Sequence, residues 1–262
     1  MFINNFDPVA VQIFSIDIKW YSLAYIIGIL LGWILSKKIF ISDQNIKEKF
    51  DDFITYLILG IIVGGRLGYV FFYNFSYYSD NLLDIIKIWQ GGMSFHGGLI
   101  GVIFASFLFA KKNNQNIFIY LDIVSIVAPI GIFLGRIANF INSELIGVPT
   151  NLPWSVVFLK IDDVPRHPSQ IYEALLEGLL LFLLMNLIFK YKKIRGYVSS
   201  FFLILYSLFR IAAEQFRLPD EQIGYIFNMI SMGTLLSLIM LITGVFLLKY
   251  EKLTCFQNFS RP

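Results

Sequence analysis

Four arginines and four glutamates fall within or just beyond long apolar stretches of this 262-residue chain. They are Arg66, Arg136, Arg210 and Arg217, with Glu144, Glu173, Glu177 and Glu214. Tyr206, Arg210, Glu214 and Arg217 follow i, i+4, i+8, i+11, one stripe of a helix. His167, Gln170, Glu173 and Glu177 follow i, i+3, i+6, i+10, again largely one stripe, and Arg136 and Asn139 are i, i+3. The opposite charges nearly cancel, which describes a balanced polar site rather than a ring that repels ions of one sign. The planar guanidinium fork matches a phosphate bidentately, so recognition of a phosphate is the chemistry these residues offer. His96 adds an imidazole, and Gly97 and Gly98 beside it leave room for a lipid or a neighbouring backbone. Taken singly, each buried charge is explained equally well as function or as an ion pair gluing helices together.

The elements that must position these groups follow from composition. Hydrophobic residues make up 57% of the chain and charged residues 15%, against about 25% charged in an ordinary soluble domain. Mean hydropathy is +0.69. Too few polar residues remain to cover a water-exposed surface, which excludes a soluble enzyme and a disordered chain. An all-α, polytopic membrane protein is expected. Seven segments approach the length of about 20 residues needed to cross the hydrocarbon core. They run over residues 20–35, 53–73, 88–110, 117–134, 167–189, 197–215 and 223–248. Lipid offers the backbone no partners, so each is expected to be helical. The first is short but flanked by Trp20 and Trp33, as interfacial anchors are. The third carries Gly91, Gly92, Gly97, Gly98 and His96, which leaves open whether it is continuous, broken or re-entrant. The whole chain reads as one integral membrane domain, with residues 135–166 as a loop able to hold a small extramembrane element. The N-terminal stretch lacks the basic start and cleavage site of a signal peptide, and no internal repeat is visible.

Basic residues mark the cytoplasmic side. Loops taken alternately hold 13 lysines and arginines in one set (Lys37, Lys38, Lys47, Lys49, Lys111, Lys112, Lys190, Lys192, Lys193, Arg195, Lys249, Lys252, Arg261) and 6 in the other (Lys19, Lys87, Arg136, Lys160, Arg166, Arg217). The predicted topology is N-terminus outside and C-terminus cytoplasmic. It brings Arg66, His96, Arg136, Asn139, Glu144, Gln170, Glu173, Glu177, Arg210, Glu214 and Arg217 to one level on the outer side, with Asp122 alone in the inner half. Scattered helix-to-helix glue would not need to converge in this way. The ladders Gly60, Gly64, Gly68 and Gly28, Gly32 read as close helix packing.

Other chemistries find little support. Cys255 is the only cysteine, which excludes an intrachain disulfide, and with only His96 and His167 beside it a Cys/His zinc cluster is excluded too. No G-x-S-x-G elbow, Walker A loop or H-E-x-x-H helix occurs. The charge balance gives no reason to expect nucleic acid as a partner. An intramembrane protease would need a partner for Asp122 or a serine nucleophile, and neither is visible. A transporter of an anionic substrate is the alternative reading; it predicts inverted repeats or polar residues at both faces, whereas this cluster is one-sided.

Six segments together resemble the bacterial prolipoprotein diacylglyceryl transferase family. They are WYSL (Trp20 to Leu23), GGRLGYV (Gly64 to Val70), GGMSFHGGLIG (Gly91 to Gly101), GRIANFINSELIG (Gly135 to Gly147), RHPSQIYEALLEG (Arg166 to Gly178) and YSLFRIAAEQFRLPD (Tyr206 to Asp220). They occur in family order along most of the chain. The family is described as a seven-span inner-membrane protein with its N-terminus outside. Small departures exist: the family usually has Gly where this chain has Ser22, Ala138 and Ser143, and EFFR where it has EQFR.

The resemblance implies transfer of the diacylglyceryl group from phosphatidylglycerol to the lipobox cysteine thiol of a prolipoprotein signal peptide. The products are a thioether and glycerol phosphate, and no metal or organic cofactor is implied. The implied partners are phosphatidylglycerol, lipobox-bearing signal peptides and membrane lipids, in a bacterial plasma membrane, the inner membrane in a Gram-negative cell. Residue by residue, His96, Arg136, Asn139, Glu144, Tyr21, Tyr206 and Arg210 match positions tied to catalysis. Arg136, Arg210, Asn139, Gly147, Arg66, Glu214 and Arg217 match positions expected to hold the lipid. Glu144 and Glu214 are expected to steady the guanidinium groups. His96 is expected to take the thiol proton or to orient the head group. The enzyme's own Cys255 is expected to be dispensable, because the attacking thiol belongs to the substrate.

Overall fold

The computed structural model describes residues 1–14, 16–191, 195–219, 225–226 and 230–259. The chain is an all-α polytopic membrane protein with a few short strands. Among the described residues, six helices are long and apolar enough to cross a membrane: Trp20–Phe40, Gln44–Tyr73, Ile117–Asn142, Ser169–Tyr191, Tyr197–Glu214 and Met232–Tyr250. A further 18-residue helix spans Phe95–Lys112. The chain divides into two compact units, Met1–Ser36 with Val124–Pro262, and Lys37–Ile123.

The first unit opens with three strands, β1 (Phe2–Asn4), β2 (Val9–Ile13) and β3 (Ile16–Lys19). β2 and β3 form an antiparallel hairpin. β1 instead runs parallel to β4 (Val156–Phe158), which pairs antiparallel with β5 (Pro165–Arg166). The small sheet is tied to the helices by Asn4, fully buried, whose amide donates to the Phe140 carbonyl at 2.7 Å. Helix α1 (Trp20–Leu35) continues as a π-helical turn over Ser36–Phe40, so the first apolar helix is 21 residues long rather than the 16 expected.

In the second unit, α2 (Gln44–Tyr73) begins well before its apolar stretch because Asp43 caps it, accepting from the backbone N–H of Asn45 at 2.9 Å. α3 (Phe75–Asp80) and 3-10 turns over Leu82–Ile86 and Ile88–Gln90 follow. Helix α4 (Phe95–Lys112) is continuous, and it starts seven residues later than the apolar pattern predicts. The reason is local: Gly91 and Gly92 hold φ of +85° and +79°, which a helix cannot contain, and the Ser94 side chain caps the first turn by accepting from Gly97 N–H at 3.2 Å. α4 lies against α2 through the predicted glycine ladder. A Cβ on Gly60 would stand 2.6 Å from the Gly101 carbonyl oxygen, and one on Gly68 2.7 Å from the Gly97 Cα. Gly97 is therefore a packing residue. Toward the other end of these helices Phe50, Phe53, Phe109 and Tyr120 pack in one buried aromatic cluster.

α5 (Ile117–Asn142) carries the chain back into the first unit, where Gly131 receives Gly28 of α1, with 3.0 Å from a Gly28 Cβ to the Gly131 Cα. α6 (Ser169–Glu173) passes through a π-helical stretch, Ala174–Leu180, into α7 (Leu181–Tyr191). Such local widening of a helix recurs at functional sites. α8 (Tyr197–Glu214) packs on α9 (Met232–Phe259), preceded by the short pair β6 (Tyr225–Ile226) and β7 (Ile230–Ser231). Part of the last predicted span, residues 223–224 and 227–229, lies outside the described residues, as do Lys192 and Lys193 and the side chain of Cys255.

Candidate active site

Three elements of the first unit bring charge together. α5 supplies Arg136, the α6/π-helical segment supplies Glu173 and Glu177, and α8 supplies Arg210 and Glu214, with Arg217 just beyond its end. Arg136 donates from Nη2 to Glu177 Oε2 at 2.9 Å and forms an ion pair through Nη1 with Glu173 Oε2, also at 2.9 Å. Arg210 uses Nη1 on Glu173 Oε1 and, at 3.4 Å, on Glu177 Oε1, while Nη2 reaches Glu214 Oε2 at 2.5 Å. Arg217 Nη1 stands 3.6 Å from Glu173 Oε1. Glu173 and Glu177 are wholly buried, whereas the Arg136 and Arg210 side chains keep 15% and 9% of their surface accessible. Three cations balance three anions, as a buried charge cluster must to offset the desolvation of each ion.

The spacing of these residues explains the convergence. Glu173 and Glu177 lie one turn apart on one buried face. Arg210 and Glu214 are i, i+4 on α8, close enough to pair directly. Glu214 is steadied from a second side by Ser231, whose hydroxyl donates to Oε1 at 2.8 Å. Tyr206, one turn before Arg210, is buried in the electrostatic field of Glu177, Arg136, Arg210 and Glu173.

Beside the charge cluster, the segment after α5 is held by polar side chains. Asn139 Nδ2 donates to Glu144 Oε2 at 2.9 Å, and Asn142 Nδ2 donates to Oε1 at 3.2 Å. Gln170 Nε2 reaches the Glu144 carbonyl at 2.5 Å, and Ser169 Oγ the Leu145 carbonyl at 2.9 Å. Ser143 and Leu145 adopt left-handed φ of +60° and +55°. Ser143 stands where the family usually has glycine, and its φ supplies the reason glycine suits the position. Gly147 bridges Arg217 in antiparallel fashion. A Cβ there would come within 2.8 Å of both the His167 Cβ and the Phe216 carbonyl oxygen, so only glycine allows three backbone segments to meet. Arg166 Nη1 donates to the Gly147 carbonyl at 3.3 Å and Nη2 to Asp162 at 2.5 Å, and this guanidinium holds the Asp162 carboxyl below the usual carboxylate range. Tyr21, in the first turn of α1, packs on Tyr25 and lies in the field of Glu144 and Arg136.

The structure therefore joins Arg136, Arg210, Arg217 and Glu214 in one cluster, pairs Asn139 with Glu144, and sets Gly147 against Arg217. It differs from expectation in which carboxylates steady the arginines. Glu214 does so for Arg210, but Glu144 takes its hydrogen bonds from asparagine amides, and Glu173 and Glu177 hold Arg136. Their i, i+4 spacing within the stripe was the signal that could have identified them. His167, in the same stripe, meets the Tyr172 hydroxyl through Nδ1 at 3.2 Å and packs on Phe216.

Arg66 and His96 belong to the second unit. His96 stands half-buried in the first turn of α4. Arg66, expected to hold lipid, is buried and spends its donors on backbone carbonyls: Nε on Ile85 at 2.8 Å, Nη2 on Asp84 at 2.6 Å, and Nη1 on Gly91 and, at 3.2 Å, Gly92. Its guanidinium also lies 5.1 Å from the Tyr78 ring centre. It clasps the connection that leads into α4. Among the described residues no group of three or more His, Cys, Asp and Glu is arranged to hold a metal ion.

The model of the family described as prolipoprotein diacylglyceryl transferase matches residues 8–250. The chain is 51% identical over 249 residues to the phosphatidylglycerol–prolipoprotein diacylglyceryl transferase of Rickettsia felis, a match covering 93% of this chain and 96% of the relative. It is equally similar to the enzyme of that name from Rickettsia canadensis, with the same coverage. The Rickettsia typhi enzyme is 48% identical over 253 residues, covering 95% of this chain and 98% of the relative.

Proposed function

The chain belongs to the prolipoprotein diacylglyceryl transferase family, and we propose on that premise that it moves the diacylglyceryl group of phosphatidylglycerol onto the lipobox cysteine thiol of prolipoproteins. The products are a thioether and glycerol phosphate. The observation that carries the reading is the side-by-side approach of Arg136 and Arg210 on shared carboxylates within an apolar fold. Two guanidinium groups in a low-dielectric site suit a lipid phosphate, and they matter most when that phosphate departs with added negative charge.

The reaction displaces a phosphate ester from an sp³ carbon. The thiol must lose its proton, since the thiolate is the nucleophile. Its sulfur then bonds to the glyceryl carbon as the carbon–oxygen bond breaks and the electron pair leaves with the phosphate. Arg136 and Arg210 receive that charge. Arg217, 3.6 Å from Glu173, and Glu214 complete the lipid site, while Asn139 and Glu144 shape the segment leading to Gly147. Tyr21 and Tyr206 line the cluster's field. His96 takes the thiol proton or orients the head group. Arg66 clasps the connection that leads into α4. The topology that fits is seven spans in one membrane domain, N-terminus outside, C-terminus cytoplasmic, and residues 135–166 on the outer side of the plasma membrane.

The test is transfer by the purified protein. Phosphatidylglycerol vesicles and a lipobox peptide should yield a peptide heavier by one diacylglyceryl group, with release of glycerol phosphate. A peptide with serine in place of the cysteine should remain unmodified. Absence of thioether product from well-inserted protein would refute the reading.

A further inference from the structure

Glu173 and Glu177 are unusual partners for a phosphate-binding arginine pair, because they already occupy the donors a phosphate would use. Each carboxylate touches both Arg136 and Arg210, and Glu173 also faces Arg217. Both are fully buried, whereas the Arg136 and Arg210 side chains keep 15% and 9% of their surface accessible. Two cations this close repel one another in a low-dielectric interior, and the shared carboxylates offset that repulsion. The same carboxylates set a limit on anion binding. With three arginines against three glutamates the cluster is neutral, so an arriving phosphodiester makes it net negative, and the phosphate monoester that departs carries still more negative charge.

We infer that Glu173 and Glu177 are positioning residues that hold the two guanidinium groups together and weaken their grip on phosphate, so that the glycerol phosphate product leaves. Each Nη carries two N–H bonds; Arg210 Nη1 spends both on Glu173 and Glu177, but Arg136 Nη1 and Nη2 and Arg210 Nη2 each hold one carboxylate, so a phosphate engages their second hydrogens. Attraction from the arginines and repulsion from the carboxylates then act on the same ligand. The repulsion grows as the leaving group gains charge and helps expel it once the carbon–oxygen bond is broken. The arrangement sacrifices affinity for turnover. This inference rests on the reading of Arg136 and Arg210 as the phosphate site.

It makes a prediction of opposite sign to that of a structural role. Glu177→Gln or Glu173→Gln keeps the side-chain shape and removes one negative charge. Free glycerol phosphate should inhibit transfer by either variant at about tenfold lower concentration than it inhibits the unmodified protein, one close-range charge contact being worth about 1.4 kcal/mol in affinity. The KM for phosphatidylglycerol should fall, and steady-state kcat should fall further than the single-turnover rate, because product release becomes limiting. Carboxylates that merely build the fold would lower inserted protein and leave inhibition unchanged or weaker, and that result overturns the inference. Should a glutamine variant fail to insert, Glu177→Asp preserves the charge balance while withdrawing the carboxylate by one methylene. It is expected to bind glycerol phosphate about twofold to threefold more tightly, and unchanged inhibition of that variant would equally overturn the inference. Arg136→Lys and Arg210→Lys separate the two levels of the account. If they transfer normally and are inhibited normally, the phosphate site itself is wrong. If they lose both while the glutamine variants show no gain, only the role given to Glu173 and Glu177 is wrong.

Discussion

Arg66 and Arg210 are both buried arginines in apolar helices, and they are settled in opposite ways. Arg66 is met by the carbonyls of Ile85, Asp84, Gly91 and Gly92. Arg210 is met by the carboxylates of Glu173, Glu177 and Glu214. Carbonyl dipoles satisfy hydrogen bonds in fixed directions and lock a loop, but they are part of the backbone and cannot yield to a ligand. Carboxylates neutralise the charge and leave further N–H bonds on the guanidinium, which an anion of suitable shape can share. The first arrangement suits a clasp and the second an anion site. Two arginines of equal hydropathic cost thus serve architecture in one unit and, in the proposed mechanism, chemistry in the other.

The largest expected effect follows from breaking the charge balance. Arg210→Leu leaves buried glutamates facing too few cations, and removal of one partner of a buried ion pair costs about 3–5 kcal/mol. Inserted, folded protein should fall sharply in a thermal-stability assay in detergent. Adding Glu173→Leu to it should restore much of that stability without restoring transfer, which would distinguish balance from function. Gly147→Ala should come next. Its Cβ would enter 2.8 Å contacts with His167 and Phe216, so the junction must open, at about 1–3 kcal/mol as for other overpacked sites. Arg66→Lys keeps the charge but loses the fork that reaches several carbonyls. Leaving buried carbonyls short of a donor costs about 1–3 kcal/mol, visible as a lower melting temperature, while the transfer rate per folded molecule should stay within about threefold of the unmodified protein.

The smallest effect concerns the loop pair Asp162–Arg166. The Asp162 carboxyl is held below its ordinary range by Arg166. A lowered folded value means that its contribution is fully present above the unfolded pKa of about 3.9 and is lost as pH falls through the folded value. Melting curves of the unmodified protein and of Asp162→Asn should therefore differ by a small constant amount from pH 7 to about pH 5 and draw together as the pH falls below the unfolded pKa and through the lowered folded value. Divergence that grew toward low pH would contradict the pairing.

Much of this was legible in the residues because hydropathy and spacing act over one turn or one span. The starts of α5 at Ile117 and α8 at Tyr197 coincide with the apolar pattern, and the glycine ladder of α2 announces its contact with α4. The start of α4 was not legible: Ile88 and Trp89 are as apolar as a helix requires, and only the positive φ of Gly91 and Gly92 delays the helix to Phe95. The sheet formed by β1, β4 and β5 was hidden because its first strand has three residues and pairs with a partner more than 150 positions away. Within the site, one stripe groups Glu173 with Glu177 and another groups Arg210 with Glu214, and each pair does share a face. Which carboxylate answers which arginine depends on how helices face one another, and spacing along one helix does not carry that information. For this reason spacing alone leaves Glu144 as a partner for the guanidinium groups, whereas it accepts from Asn139 and Asn142.

The most direct test compares single-turnover transfer of the diacylglyceryl group by Arg210→Lys and Arg66→Lys, each measured per folded, inserted molecule. Both substitutions retain a positive charge and remove a bidentate fork. If Arg210 receives charge from the leaving phosphate, its variant should slow by about 100-fold or more, as for loss of one transition-state donor, while the Arg66 variant remains near the unmodified rate. Equal slowing of the two, or an Arg210→Lys protein that transfers at the unmodified rate, would contradict the account and leave Arg210 a structural ion pair.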